Sequence, residues 1–127
     1  MSLLFDTHAF LWFVHDDPQL SARARRAIDD AENVLVVSIA SLWEISIKVN
    51  IGMLEMRPSF EEFVRVQLRT GFRLLPIEFR HTATYVQLPL HHRDLFDRML
   101  IAQAIADDLT IVTGDAAFRK YRVKRIW

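Results

Sequence analysis

The sequence predicts an α/β fold, a three-layer α/β/α sandwich around a mostly parallel sheet of four to five strands, and three observations predict it. Apolar runs of three or four residues, too short for helices, recur at Leu3-Leu4-Phe5, Val34 to Val37, Leu74 to Ile77 and Thr110 to Thr113. The stretches between them carry apolar residues at helical spacing. The run Val34-Leu35-Val36-Val37 shows no polar alternation, the pattern of a parallel strand covered on both faces. The resulting order, βααβααβααβαβ, is that of helices packed on a parallel sheet whose ligand crevice lies at the carboxyl ends of the strands.

Each element follows from local chemistry. After the first strand, Phe10, Leu11, Phe13 and Val14 mark a helix that Asp16-Asp17-Pro18 breaks. Ser21 caps a second helix over Ala22 to Ala31, with Ala24, Ala27, Ile28 and Ala31 inward. Val34 to Val37 is the central-strand candidate. Ile39, Leu42, Trp43, Ile45, Ile47 and Val49 give a helix that stops near Gly52, and Pro58-Ser59 opens another over Phe60, Phe63, Val64 and Leu68 that ends at Gly71. Pro76 places the third strand at an outer position, because proline cannot donate to a sheet ladder. Helices are predicted over about His81 to Leu88 and Leu95 to Asp107. Thr110 to Thr113 is the fourth strand, Ala116 to Tyr121 one or two helical turns, and Val123 to Trp127 a fifth strand.

The 127 residues, 51% hydrophobic with only 3 Gly and 4 Pro, form one domain spanning 1–127 with no linker, repeat or low-complexity tract. The absence of Cys excludes disulfides, Cys-ligated zinc, iron–sulfur clusters and thiol nucleophiles. No basic leader precedes the first strand and no apolar run reaches the roughly 20 residues of a membrane span, so a soluble cytoplasmic protein is expected. Net charge is zero, from 16 Lys and Arg against 16 Asp and Glu, but that neutrality is a cancellation. Residues 1–63 hold five basic and ten acidic side chains (net −5), and residues 64–127 hold eleven and six (net +5). Such halves fit a metal-binding acidic cluster beside a phosphate-binding surface, or two unlike solvated faces.

The acids sit where strands hand over to helices. Asp6 follows the first strand, Glu44 lies in the first turns of the helix after the second, and Asp115 follows the fourth after Thr113-Gly114. In a parallel sheet these three lie toward one edge, and Asp97, at the start of an apolar helix, joins them if that helix begins there. Each has a structural reading as well. Ser41-Leu42-Trp43-Glu44 has capping-box spacing, Asp115 is a candidate N-cap, and Asp94 with Asp97 suits a cap and a first-turn acid. Asp6 resists such a reading most, because a carboxylate among apolar neighbours is desolvated unless paired or metal-bound. Clustered carboxylates repel one another at neutral pH unless a cation joins them, and an all-oxygen site suits Mg²⁺ or Mn²⁺. Phosphoryl chemistry is the natural use. Of the histidines, His91-His92 reads as a surface loop, since neighbours on a helix point apart, while His8 can orient a carboxylate or a phosphate or serve structure alone. No Walker loop, Gly-x-Gly-x-x-Gly, Gly-x-Ser-x-Gly or His-Glu-x-x-His occurs.

Four segments, in order and over essentially the whole chain, resemble PIN-domain ribonucleases, and more narrowly the VapC-type toxins of toxin–antitoxin pairs. They are Leu4-Phe5-Asp6-Thr7-His8-Ala9-Phe10-Leu11-Trp12, Ser38-Ile39-Ala40-Ser41-Leu42-Trp43-Glu44-Ile45 with Lys48, His92-Arg93-Asp94-Leu95-Phe96-Asp97-Arg98-Met99-Leu100-Ile101-Ala102-Gln103-Ala104, and Ile111-Val112-Thr113-Gly114-Asp115-Ala116-Ala117-Phe118. The resemblance implies a Mg²⁺- or Mn²⁺-dependent endoribonuclease in which Asp6, Glu44 and Asp97 hold the metal. Asp115 is a fourth acid, acting directly or through water, and Thr7 and Thr113 are supporting hydroxyls. Asp94-Leu95 departs from the family's usual Asp-Pro, which leaves Asp94 explained by a helix cap. The resemblance also implies a homodimer and a small antitoxin that lays a helix into a groove and sets a basic side chain among the carboxylates.

The basic half then offers candidate RNA contacts at Arg122, Lys124 and Arg125, within a run from Arg119 to Trp127 that has no acid. Phe10, Trp12 and Phe13 cannot all face one core from one helix, so an exposed aromatic patch for the antitoxin is expected, unless Trp12 covers the sheet edge. Two alternatives come from other classes. One is a catalytically silent PIN-like protein-binding module, against which the intact acids speak. The other is a receiver-type signalling domain, whose acidic pair and terminal lysine are not matched here.

Overall fold

The computed structural model describes residues 1–127. Leu3, Leu4 and Phe5 are all fully buried, which a strand achieves only when both faces of its sheet are covered. That strand, β1 (Ser2–Phe5), is the middle of a five-stranded sheet. The chain continues through α1 (Thr7–Val14), α2 (Ala22–Asp29), β2 (Val34–Ser38), α3 (Ile39–Asn50), α4 (Phe60–Arg69), β3 (Arg73–Leu75), α5 (Phe79–Val86), α6 (Leu95–Asp107), β4 (Thr110–Val112), a 3-10 turn over Ala116–Lys120, and β5 (Lys124–Ile126). The order is the one the periodicity predicts.

The sheet runs β3-β2-β1-β4-β5 and every pairing is parallel. Leu4 pairs with Val36 on one side and Ile111 on the other, so the strands that flank the centre are β2 and β4. Val34 to Val37 is therefore an inner strand next to the centre. The third strand lies at the edge, as expected, but it runs over Arg73–Leu75 instead of Leu74 to Ile77, so Pro76 follows the strand and takes no part in its ladder.

Alternation along the strands divides the core into two layers. Leu3, Phe5, Val37 and Val112 face Ala9 and Phe10 of α1, Ala24 and Ile28 of α2, Phe63 of α4 and Phe72. Phe5, Phe10 and Phe13 ring Phe72 at centroid distances of 5.1, 5.2 and 5.9 Å, two of them edge-on. Leu4, Val36 and Ile111 face Leu100, Ile101 and Ala104 of α6, together with Phe118 and Tyr121. The α/β/α sandwich follows.

Helix α5 starts at Phe79, two residues before the expected His81, because His81 belongs to its first turn. The His81 Nδ1 accepts a hydrogen bond from the Glu78 amide at 2.9 Å, and its Nε2 lies 2.9 Å from Asp107 at the far end of α6. Arg80 grips the same carboxylate at 2.8 and 3.0 Å, which holds Asp107 below the usual carboxylate range. This contact, with His81 buried and Asp107 partly so, fastens α5 to α6.

Chain order locates the crevice. From β1 the chain steps outward to β2 and β3, then crosses by α5 and α6 to β4 on the opposite side of β1. The order reverses between β1 and β4, and in open parallel sheets the gap at the carboxyl ends of such strands is where ligands bind.

Candidate active site

Asp6 and Thr113 occupy that gap. Asp6 continues β1 by donating its amide to Val112 O at 3.1 Å, then turns the chain into α1. It is the N-cap of α1, with Oδ1 accepting from Ala9 N at 2.7 Å, a second role not apparent from the spacing of the acids. Its other oxygen, Oδ2, accepts from the Thr113 hydroxyl at 2.5 Å. Both partners are buried, and burial drives the Asp6 carboxyl above its ordinary range even though Thr113, Ala9 and His8 pull it down. A side chain that stays acidic in such a place has hydrogen bonds arranged to fix it.

Thr113 does more than hold Asp6. Its hydroxyl oxygen also accepts from the Asp115 amide at 3.1 Å, so one side chain sets both ends of the β1/β4 gap. Asp115 caps the 3-10 turn through Ala117 N at 2.9 Å, as predicted, while its carboxylate shares an open cleft with Asp6. Thr7 has a quieter place. Its buried hydroxyl donates to Ser41 Oγ at 3.1 Å and ties α1 to α3.

Glu44 is not part of a capping box. The N-cap of α3 is Ser38, whose Oγ accepts from Ala40 N at 2.9 Å and donates to Gln103 at 2.5 Å. The Ser41 hydroxyl is turned to Thr7, and Glu44 instead meets Lys48 one turn on at 3.3 Å, leaving its side chain half-buried toward the acids. Asp94 is the cap of α6 that its spacing predicts, accepting from Asp97 N at 2.9 Å.

Asp97 is the second perturbed acid of the site. Its carboxyl is pushed up to about 8, first by burial and then by the negative charges of Asp94, Asp6, Asp115 and Glu44. Asp6, Glu44 and Asp115 thus all lie within electrostatic reach of Asp97. That reach is not contact, and no three His, Asp or Glu side chains stand close enough to enclose an ion. The donor set is all oxygen and carries excess negative charge, which suits a hydrated divalent cation held by one or two carboxylates.

Some site residues were not legible as such. The Nε2 of His92 lies 3.4 Å from Asp97 Oδ2, and its Nδ1 lies 2.8 Å from the Tyr121 hydroxyl. That hydroxyl accepts from Arg98 at 2.9 Å, and Arg98 also donates to Pro89 O at 2.9 Å and lies over the Tyr85 ring. His92 is thus half-buried beside the acids, and the surface-loop reading applies only to the exposed His91. The spacing of Asp97 and His92 hints at proximity, but Tyr121 is remote in sequence and leaves no periodic trace.

The aromatic patch expected on α1 reduces to Trp12, which is half-buried and borders a cleft with His8 and Trp127. Phe10 is fully buried, Phe13 packs on Phe5, and Trp12 sits between His8 and Trp127 at 5.8 Å from each. The exposed apolar residues lie on other elements, with Trp43, Val86 and Leu95 bordering a groove of α3, α5 and α6. Among the basic candidates, Arg122, Lys124 and Arg125 are all exposed, but Lys124 pairs with Asp108 at 2.7 Å. Its register partner is Thr110, so it lies toward the edge of the sheet opposite the acids.

A wholly parallel sheet with carboxylates gathered at its reversal point defines an α/β domain with an acidic, oxygen-donor site. The chain belongs to the PIN-domain family, whose model matches residues 3–124, and the receiver-type alternative falls with that match. Similar solved structures are a chain of VapBC2 from Rickettsia felis bound to a promoter DNA fragment (TM-score 0.76, 14% identity, 98% of this chain and 97% of that one) and one of VapBC-1 from nontypeable Haemophilus influenzae (0.69, 17%, 98% and 96%). FitAcB from Neisseria gonorrhoeae is also similar (0.68, 21%, 97% and 95%). These likenesses extend over the whole fold. No curated protein matches the sequence significantly. No helix is long and apolar enough to cross a membrane.

Proposed function

We propose that the protein is a divalent-metal-dependent endoribonuclease and the toxin of a toxin–antitoxin pair. The observation that carries this reading is a buried Asp6 fixed by Thr113 at the β1/β4 reversal, within electrostatic range of Asp97, whose carboxyl also feels the charges of Glu44 and Asp115. Among Asp6, Glu44 and Asp97, one or two carboxylates would hold Mg²⁺ or Mn²⁺ directly and the rest through its water shell, with Asp115 reaching it directly or through water. A bound divalent cation supplies charge stabilisation at the phosphoryl oxygens and a more acidic water.

The protein's own residues prepare that chemistry. Thr113 and Ala9 N fix both oxygens of Asp6, so its carboxylate needs no reordering when substrate arrives. Lys48 restrains Glu44, and Asp94 N-caps the helix that presents Asp97. Asp115 faces the open side of the cleft, where it is placed to accept a proton from an attacking water. The fold similarity to chains of VapBC and FitAcB assemblies supports an antitoxin partner. The apolar groove bordered by Trp43, Val86 and Leu95 supports burial against protein, either an antitoxin helix or a second copy. A cytoplasmic site of action, and residues 1–127 acting as one domain, belong to the same proposal.

The test is cleavage of RNA by the chain purified free of any partner. Cleavage in Mg²⁺ or Mn²⁺, lost in chelator and in Asp6→Asn with the circular dichroism unchanged, is the expected result. A folded, metal-replete protein that cuts neither structured nor single-stranded RNA would leave a protein-binding PIN module instead.

A further inference from the structure

The cleft that exposes Asp6 and Asp115 has a second wall that the acid chemistry does not use. It is aromatic. His8 stacks on Trp12 with ring centroids 5.8 Å apart and planes at 28°, and Trp12 meets Trp127 at 5.8 Å. Trp12 and Trp127 border the same cleft as the two acids, and Gln19 completes its rim. Trp127 is held there by Gly114, the residue between Thr113 and Asp115. A Cβ on Gly114 would stand 2.6 Å from the indole, so the absence of a side chain is what lets the ring lie on the acid-bearing turn.

We infer that His8, Trp12 and Trp127 form a stacking subsite for one unpaired nucleobase of a single-stranded RNA, next to the phosphodiester that is cut. This rests on the nuclease reading above and adds the substrate class to it. Two arguments carry it. The wall adjoins the acids proposed to engage the scissile phosphodiester, so the group that reaches it is the base of a neighbouring nucleotide, a flat neutral ring that stacks on indole. A base inside a duplex already has both faces covered, so the wall selects unpaired RNA. Gln19, with an amide that both donates and accepts, is placed to meet the edge of the stacked base.

The experiment uses a single-stranded oligoribonucleotide with one abasic position moved stepwise along it, in two arms. In the first arm, Trp43→Phe removes the indole remote from the cleft, and oligonucleotide is titrated with Mg²⁺ into Asp6→Asn carrying that change, so that Trp12 and Trp127 report binding without cleavage. The intact strand should quench emission, a duplex of the same sequence should not, and one abasic position should weaken binding about tenfold. In the second arm, cleavage is compared for wild type and Trp12→Leu. The variant should raise KM about tenfold with kcat within about twofold, and the abasic strand should cost Trp12→Leu nothing further.

Equal quenching by duplex, or an abasic penalty as large in Trp12→Leu as in wild type, overturns the subsite. The first arm on the unmodified wall decides the matter even if Trp12→Leu misfolds. Cleavage without base-dependent quenching sinks the subsite and leaves the nuclease. Quenching without cleavage keeps the subsite and sinks the nuclease.

Discussion

Replacing Asp97 by Asn should make the metal-free protein more stable, an unusual effect for a change at a functional residue. Asp97 titrates near 8 in the folded protein against an ordinary 3.8, because burial and the charges of Asp94, Asp6, Asp115 and Glu44 oppose its ionisation. The unfolded chain has no such obstacle, so it binds fewer protons than the folded chain between those two values. Stability therefore falls as pH rises through that window and levels off above about 8. At pH 7 the full shift would cost about 4 kcal/mol, and partial contact of the carboxyl with water reduces this to roughly 2 kcal/mol. Asn keeps the size and removes the charge. The variant should melt on the order of 5–10 °C above wild type at pH 7 in chelator, and the two should converge near pH 4. Saturating Mg²⁺ should raise wild type toward the variant, since binding to the folded state alone stabilises it. Thermal melts across pH with and without Mg²⁺ decide this. A difference that does not change with pH, or a variant less stable at pH 7, would refute the electrostatic reasoning.

Other perturbations have defined outcomes. Thr113→Val deprives the buried Asp6 of its hydroxyl donor and should destabilise the fold by about 1–3 kcal/mol in denaturant titrations, with cleavage falling more than stability predicts. Gly114→Ala forces the Trp127 ring off the acid-bearing turn, which should appear as a changed near-ultraviolet dichroism and tryptophan emission with the far-ultraviolet spectrum retained. Asp107 is held below its ordinary range mainly by Arg80, so its contribution is present above the unfolded carboxyl's titration and lost as pH falls through the folded value. Asp107→Asn should therefore flatten the acid limb of the stability profile, measured by urea midpoints from pH 5 down to pH 2. Asp6→Asn should depress RNA cleavage beyond the roughly 10- to 100-fold typical of changes outside the ligand set, in steady-state assays.

The parts of this molecule set by local chemistry were legible in the residues, and those set by distant meetings were not. Short apolar runs bounded by turns gave four of the five strands, and the proline that follows β3 pointed to its edge position. The spacing of acids after strands picked out Asp6, Glu44 and Asp115 as candidates on one side of a parallel sheet, and Asp97, which follows no strand, lies at the start of α6 within reach of their charges. Side-chain facing on α1 was misread for a physical reason. Phe10 is buried in the core layer of α1, Phe13 packs on the same layer, and Trp12 lies beside Trp127, a residue so remote in sequence that periodicity along α1 gives no sign of it. The His81–Asp107 contact and the His92–Tyr121–Arg98 chain join residues more than twenty positions apart, which leave no mark in any local window. The local capping argument for Glu44 failed because Ser38, three residues earlier, had already capped the helix.

The central claim is that four carboxylates at the β1/β4 reversal form a divalent-cation site, and Mn²⁺ titration followed by electron paramagnetic resonance tests it most directly. The account predicts saturable Mn²⁺ uptake by the wild-type protein, displaced by Mg²⁺ and strongly weakened in Asp6→Asn. Uptake equal in the two proteins, or none at all in a folded wild type, would contradict it.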